Sequence, residues 1–200
     1  MHDLIIIGAG ASGLSCALVI GSGLEKPFAS DKKVSLIAHQ KTSHLESALF
    51  NNVLGLAPQT LGKEVLIKGK EQLTNTYPKI NQIDREKVYE IKEEESGFLI
   101  ITNKNTYCSK LVVLALNYAK PFSIKGLDQY IIPHKRANAS KNRIQLQNTN
   151  HLVRPGLYAC GTIAGWRSQF SIAAGSGAQV ATDILTLWNN GMHTKVHDKV

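Results

Sequence analysis

Cysteine is scarce in this sequence and never paired. Cys16, Cys108 and Cys160 are far apart, so there is no CxxC, and with it neither a local redox dithiol nor a zinc knuckle. Free cysteines in apolar surroundings suit a reducing cytoplasm. Aromatic residues make up only 6% of the chain, and no basic–aromatic module of a nucleic-acid reader is present, which argues against a nucleic-acid partner. No stretch is long and apolar enough to span a bilayer, so no membrane role is expected. The apolar N-terminus lacks a basic n-region and is interrupted by Gly8, Gly10 and Gly13, unlike a signal peptide. Acidic residues are absent between Asp128 and Asp183, where Lys135, Arg136, Lys141, Arg143, Arg154 and Arg167 all fall. Such a positive stretch suits an anionic cofactor or an acidic protein partner. The plainer reading is a solvated basic surface.

Two hundred residues, 43% of them hydrophobic, suffice for one large domain with a real core or two very small ones. Leu4 to Ile7 is a continuous apolar run, as in a strand buried on both faces of a parallel sheet. Leu14 to Ile20 reads as a helix with small residues that permit close packing, and Gly21 to Lys33 as a long connection. Val34 to Ile37 reads as a second parallel strand. Thr42 to Gly62 has little period and is expected to be mostly irregular. A helix is predicted over Gly62 to Tyr77 and a strand over Lys79 to Ile83. Lys87 to Ile91, Gly97 to Thr102 and Thr106 to Cys108 alternate as an antiparallel meander, and Leu111 to Leu116 reads as a further buried strand. Pro121 to Asn150 is weakly patterned. Gly156 to Cys160 reads as a strand and Phe170 to Trp188 as a long helix; the polar tail is expected to be loosely held. No solenoid repeat is present.

The chemistry lies in two glycine-rich turns. Gly8-Ala9-Gly10-Ala11-Ser12-Gly13 follows a strand and opens a helix within a βαβ unit of about thirty residues, the context of a dinucleotide fingerprint. Gly8 allows the tight turn, Gly10 clears room for a pyrophosphate, and Gly13 lets helix and sheet approach. The helix N-terminus offers unpaired N–H groups and partial positive charge to the anion. Gly156-Leu157-Tyr158-Ala159-Cys160-Gly161-Thr162, followed by Gln169 and an Ala/Gly-rich helical pattern, repeats the strand–turn–helix logic near the C-terminus. Together the turns imply one extended dinucleotide, FAD, held from both ends of the chain. The acid expected at the end of the second strand, for the adenosine ribose, is missing: Ala38 stands there. His39 or Gln40 would hydrogen-bond the ribose instead, or His39 is an ordinary surface histidine.

These residues resemble the FAD domain of the thioredoxin-reductase-like branch of the pyridine nucleotide-disulfide oxidoreductases. The likeness covers most of residues 1–190. It includes the opening turn, Asn51-Asn52-Val53-Leu54-Gly55, the meander, and the segment from Gly156 to Gly161 continuing through Gln169-x-x-x-Ala173-Ala174-Gly175-x-Gly177. It implies an α/β, Rossmann-like three-layer fold with a central parallel sheet and a small antiparallel meander. One domain would span 1–190, as an N-terminal part (1–118) and a C-terminal return (151–190), followed by a tail (191–200). The resemblance places Gly161 and Thr162 on the ribityl and pyrophosphate region. It aims the helix start at Gln169, Phe170 and Ser171 toward the flavin pyrimidine carbonyl, and makes Asn52 and the backbone at Val88 further contacts. It also implies a homodimer.

The departures are specific. Thr162 replaces the family's Asp and keeps only a hydroxyl. The strand that usually ends Ala-Thr-Gly ends Ala115-Leu116-Asn117, with Asn117 expected to take the left-handed backbone that glycine would. Only about thirty-five residues stand where the family inserts its NAD(P)H domain, too few for such a domain. A flavin oxidoreductase is therefore expected, one whose electron donor and acceptor are unidentified and include a small redox protein among the candidates. The alternative is a non-catalytic or accessory FAD-binding, redox-sensing module. His193 and His197 with Asp198 beside them would suit a metal only if the tail were helical; a solvated tail is the simpler reading.

Overall fold

Alternate side chains of the opening apolar run face opposite ways, and both ways lie inside. In the computed structural model, which describes residues 1–39, 43–119 and 121–197, the run forms β1 (His2–Ile7). Leu4 and Ile6 pack into one hydrophobic cluster, while Ile5 and Ile7 pack into another. The chain continues through α1 (Ala11–Gly23), β2 (Val34–Ala38), β3 (Leu49–Phe50), β4 (Thr60–Leu61), α2 (Gly62–Thr76) and β5 (Ile80–Asp84). A meander follows, β6 (Val88–Glu94), β7 (Gly97–Thr102) and β8 (Thr106–Leu114). Then come β9 (Ile131–Pro133), β10 (Ile144–Leu146), β11 (Leu152–Arg154), β12 (Leu157–Ala159) and α3 (Phe170–Trp188).

The main sheet runs β5-β2-β1-β8-β12-β11; its first five strands are parallel and β11 is antiparallel at the edge. The three α-helices supply the cluster on one face. The meander and the β9–β10 hairpin cover the other. This is the three-layer α/β arrangement expected from the sequence, with the small antiparallel sheet in its expected place. Among the described residues, no helix is long and apolar enough to cross a membrane.

Several boundaries differ from the sequence reading, each for a physical reason. The two strands expected at Thr106–Cys108 and Leu111–Leu116 are one nine-residue strand. Nothing between them, only Ser109 and Lys110, breaks an extended chain; β8 pairs with β7 through its first half and with β1 through its second. Helix α1 starts three residues earlier than Leu14, capped by Gly10, and runs through Gly21 and Gly23. Those glycines sit against Tyr77 and Leu185, where a side chain would collide. The segment expected to be irregular before α2 includes the short pair β3–β4. The weakly patterned 121–150 region contains the β9–β10 hairpin. Part of the tail is held: Thr194 is buried and Val196 packs against the helical cluster.

Candidate functional site

The C-terminal ends of β1 and β8 and the first turns of α1 and α3 meet at one cleft of about 420 Å³. That volume lies within the usual range for small-molecule sites. Gly8 leaves β1 with φ +107, a backbone that side chains disfavour, and a Cβ there would overlap the Ala115 carbonyl at the end of β8. A Cβ on Gly13 would overlap the Gly8 carbonyl, so the close helix–sheet approach requires glycine. A Cβ on Gly10 would meet nothing within 4 Å. Gly10 lines the cleft, so its bare side faces open space where a ligand can approach. Leu14 N donates to Gly10 O at 2.9 Å as the first intrahelical bond of α1. The amides of Ala11, Ser12 and Gly13 precede it, no side chain caps them, and no acid lies in the first turn. This end of α1 is electropositive and ready for an anion.

The second turn closes against the first. Gly161 has φ +71, and a Cβ there would sit 2.7 Å from Ser12 Oγ. Gly177 on α3 lies on the Ser12 backbone so closely that a Cβ would overlap its carbonyl oxygen. Ser176, buried, fixes the turn: its Oγ accepts from Gly161 N at 2.8 Å and lies 2.9 Å from His151 Nε2. The Trp166 indole donates to the same His151 nitrogen at 2.9 Å, so that nitrogen is unprotonated. Burial lowers the His151 pKa, in keeping with a neutral ring. His134 ties the β9–β10 hairpin to the turn. Its Nδ1 accepts from Arg136 N and Ala137 N at 3.1 and 3.0 Å, so Nε2 carries the hydrogen and donates to Thr162 O at 3.1 Å. Burial lowers its pKa as well, overcoming the opposing pull of the Thr162 carbonyl.

Of the residues singled out in the sequence, Gly8, Gly10, Ala11, Ser12, His39, Val88, Ala115, Asn117, Thr162 and Phe170 line this cleft. Gly13 and Gly161 lie behind its wall in the contacts just described. Gln169 is the N-cap of α3, its Oε1 accepting from Ile172 N at 3.0 Å; this leaves the amides of Phe170 and Ser171 outside the helix's own bonding. Ser171 itself is exposed. Asn52 is exposed on the β3–β4 connection, away from the cleft-lining set. Gln40 lies outside the described residues, as does Asp198 of the tail. Asn117 does not take left-handed backbone. Its Oδ1 instead accepts from Ala119 N at 3.1 Å, a local turn in which the amide side chain replaces the freedom of glycine. Thr162 Oγ1 points back to Leu116 O at 3.4 Å.

Two of the three cysteines, Cys16 and Cys160, are buried, and Cys108 is exposed. All three are free. Cys160, fully buried beside the turn, is pushed up to about 12 by burial, with the Ser12 hydroxyl pulling weakly the other way. Burial raises Cys16 well above its ordinary value too. Among the described residues, no group of three His, Cys, Asp or Glu could hold a metal ion.

Local sequence patterns do not pick out Ser176, His134, His151 or Tyr118, because their partners lie far away in the chain. Tyr118 lines the cleft between the rings of His44 and His134, with centroids at 5.8 and 5.2 Å. Glu86 is a further such residue. It is 5% exposed, and its oxygens accept from Thr102 Oγ1 (2.7 Å), Asn105 Nδ2 (2.7 Å) and Tyr107 OH (3.0 Å). Burial pushes its pKa up, but the three donors outweigh burial and hold it below the usual glutamate value. A folded pKa below the unfolded one contributes stability above about pH 4.3, and that contribution is lost as pH falls through the folded value. Acid unfolding followed by circular dichroism is expected to be steeper in the wild type than in Glu86→Gln. Superimposable acid limbs would show that the carboxylate carries no charge worth holding.

No protein-family model matches this sequence, and no curated protein sequence matches it significantly. Solved structures do. The thioredoxin reductase of T. acidophilum is 17% identical and superposes with a TM-score of 0.67 over 95% of this chain and 98% of that one. A ferredoxin-flavin thioredoxin reductase from Clostridium acetobutylicum is 18% identical, with a TM-score of 0.68 over 94% of this chain and 98% of that one. An oxidoreductase from Agrobacterium tumefaciens is 13% identical, with a TM-score of 0.70 over 96% and 100%. The chain shares the fold of these proteins.

Proposed function

We propose that this chain is an FAD-binding flavoprotein of the oxidoreductase class, related in fold to thioredoxin reductases. One observation carries the reading: Gly161 and Gly177 from the C-terminal return close on Ser12, so the first turns of two helices bound a single cleft. An extended dinucleotide with a pyrophosphate at its middle suits that arrangement; a single mononucleotide does not need both ends of the chain. The open side of Gly10 and the amides of Ala11, Ser12 and Gly13 would take the pyrophosphate. Thr162 would serve the ribityl region. The amides of Phe170 and Ser171 would face the pyrimidine edge, where an electropositive helix end favours the charge that builds on reduction. His39, Gln40 and the Val88 backbone would complete the adenosine side. Bound flavin would supply the redox chemistry, while the chain would set its position and access to water. A reducing cytoplasm suits the three free thiols.

The purified protein is expected to be yellow and to release FAD on denaturation in a one-to-one ratio. Folded protein that is colourless and fails to quench added FAD fluorescence would end this reading. Anaerobic addition of NADH or NADPH then separates the two roles: prompt bleaching marks a nucleotide-driven enzyme, and an inert spectrum marks a module or an enzyme served by a protein donor.

A further inference from the structure

Five of the six cations in the longest acid-free stretch of the sequence lie on the β9–β10 hairpin tip and the turn before α3. Lys135, Arg136, Lys141 and Arg143 all sit on the tip of the β9–β10 hairpin, closed by a bond from His134 N to Arg143 O at 3.0 Å. Arg167 follows on the turn before α3. Arg136 joins the two segments: its Nη1 donates to Gly165 O at 2.8 Å, and its guanidinium lies 4.9 Å from the centre of the exposed Trp166 ring. Among the described residues none of these five cations makes an ion pair. Arg154, the other cation of the stretch, is taken by Glu93. Arg143 lies over the Tyr118 ring at 4.9 Å, with its Nε buried and without a hydrogen-bond partner among the described residues. The patch abuts the cleft, because Tyr118 and Thr162 belong to the cleft wall and contact Arg143 and His134.

We infer that this patch is a docking surface for a small acidic redox protein, which would approach the cleft over Trp166. The redox character of the partner rests on the flavoprotein reading; its acidity rests on the patch alone. Charge selects among the possible occupants. A second copy of this chain meeting the patch about a two-fold axis would set cations against cations. A free phosphorylated nucleotide would not be enclosed by the cleft walls here, since none of the five cations lines the cleft. An acidic protein face gains steering from unpaired cations and a contact centre from an exposed Trp with Arg stacked on it, the residue types that dominate protein interfaces.

The test uses the full chain and three probes: an acidic flavodoxin, an acidic [2Fe–2S] ferredoxin and, as the charge control, a basic cytochrome c. Binding is measured by calorimetry at low salt and at roughly physiological salt. At least one acidic probe is expected to bind, with affinity falling about tenfold or more across that salt range, and cytochrome c is expected not to bind. The triple variant Lys135→Glu, Lys141→Glu, Arg167→Glu alters side chains that make no hydrogen bond or ion pair among the described residues. It should abolish the complex while keeping the wild-type melting temperature and FAD affinity. Failure of both acidic probes at low salt overturns the inference, as does a complex that survives charge reversal. It is equally overturned if the triple variant slows bleaching by NADPH, or if single-stranded DNA binds through these cations more tightly than either acidic protein. A chain that refuses FAD yet forms the salt-sensitive complex would defeat the flavoprotein reading and leave the acidic docking face standing.

Discussion

A Gly177→Ala variant is expected to lose a large part of its folding stability, although alanine is the better helix former. In an open helix interior the change would gain up to about 1 kcal/mol. Here the added carbon would overlap the Ser12 carbonyl oxygen and press on the Ser12 carbonyl carbon at 2.8 Å and Cα at 3.0 Å. All three atoms are backbone, in the first turn of α1, and that turn is locked to β1 through Gly13 and Gly8. Relief requires pulling apart the two helices whose junction builds the cleft. Overpacking against backbone is expected to cost about 4 kcal/mol, a large part of the 5–15 kcal/mol typical of a domain. Gly175→Ala is the internal control, since its Cβ would meet nothing within 4 Å; it should be neutral or slightly stabilising. Urea unfolding of the two variants side by side decides the matter. Equal stabilities would mean that α1 and α3 do not touch as described.

Gly10→Ala should do the reverse, sparing the fold and removing the ligand. Gly10 has φ −81, which alanine adopts without strain, and its Cβ would enter open space. Melting temperature should therefore match the wild type. The new methyl would stand where a phosphate must approach the amides of Ala11 and Ser12. Losing one or two charge-assisted hydrogen bonds at roughly 1.5–3 kcal/mol each predicts FAD binding weaker by about a hundredfold. Flavin fluorescence quenching measures it directly. Wild-type affinity in Gly10→Ala would place the pyrophosphate elsewhere, or show that none binds.

These two residues illustrate how far the sequence could be read. The open side of Gly10 and the close helix–sheet approach at Gly13 follow from local spacing, because the turn and both elements it joins lie within a few residues. Likewise, α3 is bounded as its pattern predicts, from Phe170 to Trp188. Long-range matters were not legible. The bond from Ser176 to Gly161, the protons on His134 and His151, and the ring of Tyr118 over the cleft depend on partners brought together by the sheet. No periodicity announces them. The β9–β10 hairpin escaped for another reason: each strand is only three residues long, too short to display alternation, and a polar basic tip dominates the segment between them. Asn117 shows a third limit. The residue type was compatible with left-handed backbone, yet its side chain satisfied the turn without it.

Strand β8 belongs to two layers at once, pairing with β7 along its first half and with β1 and β12 along its second. The protein thus has no seam along which the meander could peel away from the parallel sheet. Loosening either would drag the shared ribbon out of register with the other, so the meander and the parallel sheet are expected to unfold together as one cooperative body.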